Sequence, residues 1–103
     1  MPVIVTAVFE PLPDSRAAAK QAIQAALPAV HEEAGCVHYA LHDAADGSLV
    51  LIEKWESQEL LDAHSAGAPV ARLNDSLAGL LRSAPTVTLM TPLPGGDPAK
   101  GQI

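Results

Sequence analysis

The residue types best suited to acid–base chemistry sit in one short stretch, Leu49 to Pro69. It holds a carboxylate, Glu53, the only tryptophan, Trp55, and a histidine, His64. Imidazole titrates near neutrality, so His64 is the candidate base; otherwise it is a helix histidine that caps a loop or faces water. Trp55 can wall an apolar pocket and aim its indole N–H at a substrate oxygen. It can equally be a core residue at a strand end, or serve both roles. Glu53 interrupts an apolar strand, where burial would raise its pKa or demand a partner such as Arg72 or a histidine. Tyr39 can offer its hydroxyl to a ligand or pack in a core or an interface. Arg72 and Asn74 can edge the same pocket or face water.

Other chemistries have less support. His38 and His42 share one strand face, a geometry that can hold a metal. No third ligand has suitable spacing, so no metal is expected and both are assigned to an interface or to solvent. Cys36 is the only cysteine, which excludes an internal disulfide. No base lies near it in sequence, so it is taken as a buried, inert thiol. Gly95-Gly96 has no helix after it and makes no phosphate cradle.

The elements that must position these residues follow from periodicity. Val3 to Phe9 is apolar and β-branched, a buried strand stopped by Pro11-Leu12-Pro13. Asp14 or Ser15 is placed to cap the next helix. Ala19, Ile23, Ala26, Leu27, Val30 and Ala34 form its apolar stripe, and it is expected to reach about Glu33. Pro28 should kink it or start a new turn, and Gly35 suits the C′ position. Cys36 to Asp43 alternates, with Val37, Tyr39 and Leu41 on one face and Cys36, His38, Ala40 and His42 on the other. Asp46-Gly47 turns the chain. Leu49 to Glu56 returns antiparallel, with Leu49, Leu51, Glu53 and Trp55 on one face. Ser57 opens a short helix through His64, and Gly67-Ala68-Pro69 interrupts it. Val70, Leu73, Leu77, Leu80 and Leu81 predict a further helical stretch to about Ser83. Thr86 to Thr91 is the last strand.

Strand, helix, strand, strand, helix, strand is the order of a split βαβ unit. The expected fold is α+β: a four-stranded antiparallel sheet with its helices on one face. The strands are partly apolar on both faces, so the bare face predicts a second copy and a homodimer. Residues 1–93 form the domain. Residues 94–103, rich in Pro and Gly, are a tail suited to packing on the partner subunit.

Composition narrows the function. A chain of 103 residues makes one domain, and its net charge of −6, with only six scattered basic residues, repels nucleic acid. No charged leader and no long apolar span is present, so a cytoplasmic protein without membrane insertion is expected.

Several segments together resemble the antibiotic biosynthesis monooxygenase (ABM) domain family. They are Glu33-Ala34-Gly35-Cys36, the strand with Tyr39, the Glu53-Lys54-Trp55 tip, the helix Leu60-Leu61-Asp62-Ala63-His64, and the run from Pro85-Thr86-Val87 to Pro92. The resemblance implies a ferredoxin-like fold and a homodimer whose sheets form a dimeric α+β barrel. In some members it implies oxygenation of quinols or polycyclic phenols without a cofactor. Other members are isomerases of small signalling sugars, haem-degrading enzymes, or proteins without an established reaction. Many quinol-oxidising members carry a second His after a Pro; here Ala68-Pro69 stands in that stretch and no second His follows. Haem-degrading relatives use an Asn, a Trp and a His together, and the only Asn here, Asn74, comes late in the chain.

Direct reaction of O2 with a singlet organic molecule is spin-forbidden. A protein can assist by deprotonating a phenol, so that the anion donates an electron, and by holding both radicals in a dry pocket. The expected function is therefore a cofactor-independent monooxygenase acting on a quinol or related aromatic with O2. His64 is base or proton relay, Trp55 and Tyr39 shape and polarise the site, Glu53 supports it, and Arg72 and Asn74 edge it. A non-catalytic dimer that binds a small ligand or serves in stress response is one alternative. An isomerase of a small metabolite is another.

Overall fold

A computed structural model describes residues 1–103. The elements are β1 (Val3–Phe9), α1 (Arg16–His31), β2 (Cys36–Asp43), β3 (Leu49–Trp55), α2 (Gln58–Ser65), α3 (Ala68–Leu77) and β4 (Thr86–Met90), with a 3-10 turn at Pro13–Ser15. The strands form one antiparallel sheet in the order β2-β3-β1-β4. This is the ferredoxin-like α+β arrangement expected from the order of elements. No helix is long and apolar enough to cross a membrane.

The sheet's inner face carries the core. Val5 pairs with Glu53 and Ala7 with Leu51 across β1 and β3, and Tyr39 pairs with Glu53 across β2 and β3. Ile23 and Val30 of α1 complete the core from the helix side. The outer face carries Val8, Val50, Ile52 and Met90, all at least partly open.

Local departures from the periodic pattern have identifiable causes. The register shifts between Cys36 and His38, so Cys36 pairs with Trp55 and His38 with Lys54. This bulge turns Cys36 to the inner face with Tyr39 and leaves Val37 43 % exposed, opposite to strict alternation. Ser15 precedes α1 but makes no side-chain cap. Its φ of −114° and ψ of 3° are not the extended geometry that aims a cap oxygen at the helix. Helix α1 continues through Pro28 and ends at His31.

Gly35 is not the helix C′ residue. It lies in a β-turn in which the Cys36 N–H donates to the Glu33 carbonyl at 3.2 Å, with Gly35 at φ +83°. Helix α3 stops at Leu77 rather than near Ser83. Ala78 is already extended and Gly79 takes φ +79°, a conformation open to glycine at a helix end. Leu80 and Leu81 instead return to the start of the chain, where the Leu12 N–H donates to the Leu80 carbonyl at 2.9 Å.

Candidate active site

Helix α2 delivers His64. Ser57 caps it by accepting the Leu60 N–H at 3.2 Å, and its last turn places His64 inside, only 6 % exposed. The end of α1 delivers Glu33. The helix stops at His31 and the chain turns at Gly35, so the Glu33 carboxylate reaches across to His64. Its Oε1 lies 2.8 Å from His64 Nδ1. An ionised carboxylate can only accept, which assigns the proton to Nδ1 and leaves the Nε2 lone pair free in the neutral ring.

Gly35 also clears space for this meeting. A Cβ built there would lie 2.7 Å from Leu60 Cβ on α2. Only a residue without a side chain lets the Glu33 turn approach α2 this closely.

Strand β3 supplies the other wall. Trp55 is fully buried and its ring lies against the His64 ring, centroids 4.3 Å apart and planes tilted 31°. Tyr39 meets the imidazole edge-on at 5.4 Å and 68°. The imidazole is therefore held at Nδ1, along one face and along an edge. The Trp55 Nε1–H donates to Glu53 Oε1 at 2.9 Å. The indole N–H is thus committed to Glu53 and is not aimed at a ligand.

Glu53 is 5 % exposed, and burial raises its pKa; the Trp55 N–H and His64 oppose that rise. Burial, then Glu53 and Glu33, push the Tyr39 phenol well above its ordinary range. Tyr39 is accordingly a neutral hydroxyl. The His31 Nε2–H donates to the Tyr39 backbone carbonyl at 2.9 Å and anchors that strand from α1. Burial raises the Cys36 thiol as well, with Glu33 and Glu53 adding to it. It is a poor nucleophile where it stands.

Tyr39, Glu53 and His64 face a cavity of about 200 Å³ between sheet and helices, with Trp55 and Glu33 behind them and outside its lining. Val5, Ala7, Phe9 and Leu51 form its sheet side; Leu61, Val70 and Leu73 form its helix side; Val87 and Leu89 of β4 lie at its edge. Tyr39, Glu53 and His64 are among its polar members, and Asn74 lines it too. Arg72 does not reach it. It lies in a separate groove with the α1 alanines Ala22, Ala25 and Ala26. His38 and His42 are on the outer face, paired with Lys54 and Val50.

His64, Tyr39 and Glu53 thus converge on one pocket, while Trp55 packs behind His64 instead of walling the pocket, and Glu33 joins the cluster through His64. The spacing pattern did not single out Glu33, although it stands in the Glu-Ala-Gly-Cys segment. Its partner lies 31 residues away, a distance that no local pattern spans.

A family model for antibiotic biosynthesis monooxygenase matches residues 2–75. The protein named "Putative monooxygenase Rv0793" of Mycobacterium tuberculosis is 36 % identical over 93 residues, which cover 89 % of this chain and 92 % of that one. The solved structure of Rv0793 superposes with a TM-score of 0.86 at 34 % identity, covering 94 % of this chain and all of that one. PA3566 of Pseudomonas aeruginosa shares the fold, with a TM-score of 0.81 at 22 % identity over 89 % of this chain and 94 % of that one.

Proposed function

The chain belongs to the antibiotic biosynthesis monooxygenase family, and from that premise we propose that it is a cofactor-independent monooxygenase that oxidises a small quinol with O2. One observation carries the reading: an imidazole fixed by Glu33 through Nδ1, with Nε2 free, at an apolar pocket.

His64 Nε2 takes the proton of a quinol hydroxyl. The quinolate gives one electron to O2, and the resulting radical pair combines to form a carbon–oxygen bond. The O–O bond then breaks. One oxygen stays on the ring and the other leaves as water, carrying the proton that His64 returns. A quinol plus O2 becomes a hydroxyquinone plus water, so the substrate supplies every electron. The Glu33 carboxylate stabilises the imidazolium formed on the way. Tyr39 and Trp55 keep the ring in place, and the apolar walls exclude water.

Size narrows the substrate. A cavity of about 150 Å³ lined by Leu, Ile and Phe accepts benzene. The 200 Å³ here suits one ring or two fused rings better than a three-ring anthrone.

A homodimer accompanies this reading. The outer face leaves Val8, Val50, Ile52 and Met90 without a covering layer, and Leu93 and Ile103 are 92 % and 69 % exposed. A second copy packed sheet to sheet, with residues 94–103 lying against it, buries this surface.

The test is O2 uptake by dialysed protein with one- and two-ring quinols, corrected for autoxidation. Saturable uptake is expected, falling about 10²- to 10⁴-fold in His64→Ala, the range of a general base. Uptake equal in parent and variant would remove the assigned base. Turnover without O2 would indicate an isomerase, and saturable binding without turnover a ligand-binding protein.

A further inference from the structure

We infer that Glu53 binds the ligand directly: it stands as a neutral carboxylic acid whose O–H is donated into the pocket, so that the pocket selects aromatic ligands presenting an oxygen acceptor, a quinone carbonyl or a phenolate. This rests on the same pocket as the proposed oxygenase and gives Glu53 more than a supporting role there.

Geometry assigns the two oxygens different tasks. Glu53 sits on the inner face of the sheet between Val5 and Tyr39 and lines the pocket. Its Oε1 accepts the Trp55 indole N–H. No other side-chain hydrogen bond of the fold uses Glu53, and no buried side-chain oxygen lacks a partner. The second oxygen must therefore open on the pocket.

The surroundings disfavour a charge. The Arg16–Asp43 ion pair and the His64–Glu33 contact both leave Glu53 out. Lys54, next in sequence, points to the outer face. The titratable groups around Glu53 are Tyr39, Cys36 and His64, and Asp62 lines the same pocket. Tyr39 and Cys36 are neutral where they stand, and the imidazole, held by Glu33, is the one of these groups that favours the charged form, against the larger effect of burial. An ionised Glu53 would be a nearly buried anion with a single N–H donor and no ion pair of its own, an arrangement that burial penalises. As an acid it needs nothing more. Oε1 is the carbonyl oxygen that accepts from Trp55, and Oε2–H is a donor with no partner in the protein. Burial raising its pKa agrees with this placement.

The two carboxylates then divide the work. Glu33 holds His64 through Nδ1. Glu53 keeps its proton and steadies an oxygen on which negative charge grows, which strengthens the bond as reaction proceeds.

Infrared spectroscopy reads the proton directly. At pH 7 the parent should show a protonated-carboxyl band that Glu53→Gln lacks, and the band should shift when 1,4-naphthoquinone, which can only accept hydrogen bonds, is bound. Glutamine keeps both an acceptor for Trp55 and a donor for the ligand, so quinone affinity should stay within about threefold; Glu53→Leu, lacking the donor, should bind about tenfold more weakly. Absence of the band in the parent overturns the inference. So does a loss of affinity in Glu53→Gln as large as that in Glu53→Leu. A band that shifts with quinone upholds Glu53 as the binding acid even where no quinol drives O2 uptake. O2 uptake by a protein without the band overturns Glu53's role and leaves the oxygenase reading standing.

Discussion

Strands β3 and β4 lie on either side of β1 and share its pleat, yet their inward side chains meet opposite environments. Leu49, Leu51, Glu53 and Trp55 of β3 are 0, 1, 5 and 0 % exposed, whereas Val87 and Leu89 of β4 are 56 and 50 % exposed. Helices cover the first strand and stop short of the second. Burial on β3 is complete within one protomer, and that is where rings, carboxylates and imidazole can be locked in place. On β4 the same pleat is left open at the edge of the pocket. Precision of the chemistry and room for a ligand are thus assigned to different strands of one sheet.

The contrast can be broken first where it is strongest. Trp55→Ala empties a fully buried site against His64 and Tyr39 and should cost about 3–5 kcal/mol in urea unfolding. A loss that small residues on β4 reproduce would dissolve the distinction. Gly35→Ala comes next. It combines φ +83° with a Cβ 2.7 Å from Leu60 Cβ, and should destabilise by about 1–3 kcal/mol. The same variant should loosen the Glu33–His64 contact, visible as a changed His64 ring signal in NMR.

A pH series sharpens the β3 side. The folded state holds the Glu53 proton more tightly than the unfolded chain does. Stability is therefore favoured at low pH and falls as pH rises from the ordinary carboxylate range through the raised Glu53 value. Glu53→Gln has no such proton to lose. Its stability relative to the parent should climb across that window and level off above it, as followed by urea midpoints at successive pH values. A difference that stays flat with pH contradicts a raised Glu53. Smallest is Leu89→Ala, half exposed at the pocket edge, which should change protomer stability by no more than about 0.5 kcal/mol. Met90→Ala, on the outer face, should instead weaken the proposed homodimer, as read on dilution by sedimentation velocity.

Much of this was readable in the chain. The β1 run, the alternation of β3, the Ser57 cap and the interruption before Pro69 are local signals, and the strands and α2 form where those signals lie. The convergence of His64, Trp55, Tyr39 and Glu53 was readable as well, because three of them fall in one strand-and-helix segment. What escaped is set by contacts distant in sequence. The Glu33 carboxylate finds His64 across 31 residues. The bulge before His38 turns Cys36 inward because β2 must register with β3. The indole N–H is taken by Glu53, two residues back on the same face of its own strand, a pairing that a pleat permits but periodicity does not announce. The early end of α3 had a local signal, Gly79, outweighed in the sequence by the leucine stripe that runs past it.

The measurement that most directly tests the account is the ionisation of 4-nitrophenol bound to the parent and to His64→Ala, followed by its phenolate absorbance against pH. One aromatic ring fits the cavity of about 200 Å³. An apolar pocket alone raises the pKa of a bound phenol, whereas a base within reach and a donor to its oxygen lower it. The parent-bound phenol should ionise at a lower pH than the free phenol, and the phenol bound to His64→Ala, left with the Glu53 donor alone, at a higher pH than in the parent. A bound phenol that ionises above the free value in both proteins would contradict His64 as the group that takes the substrate's proton.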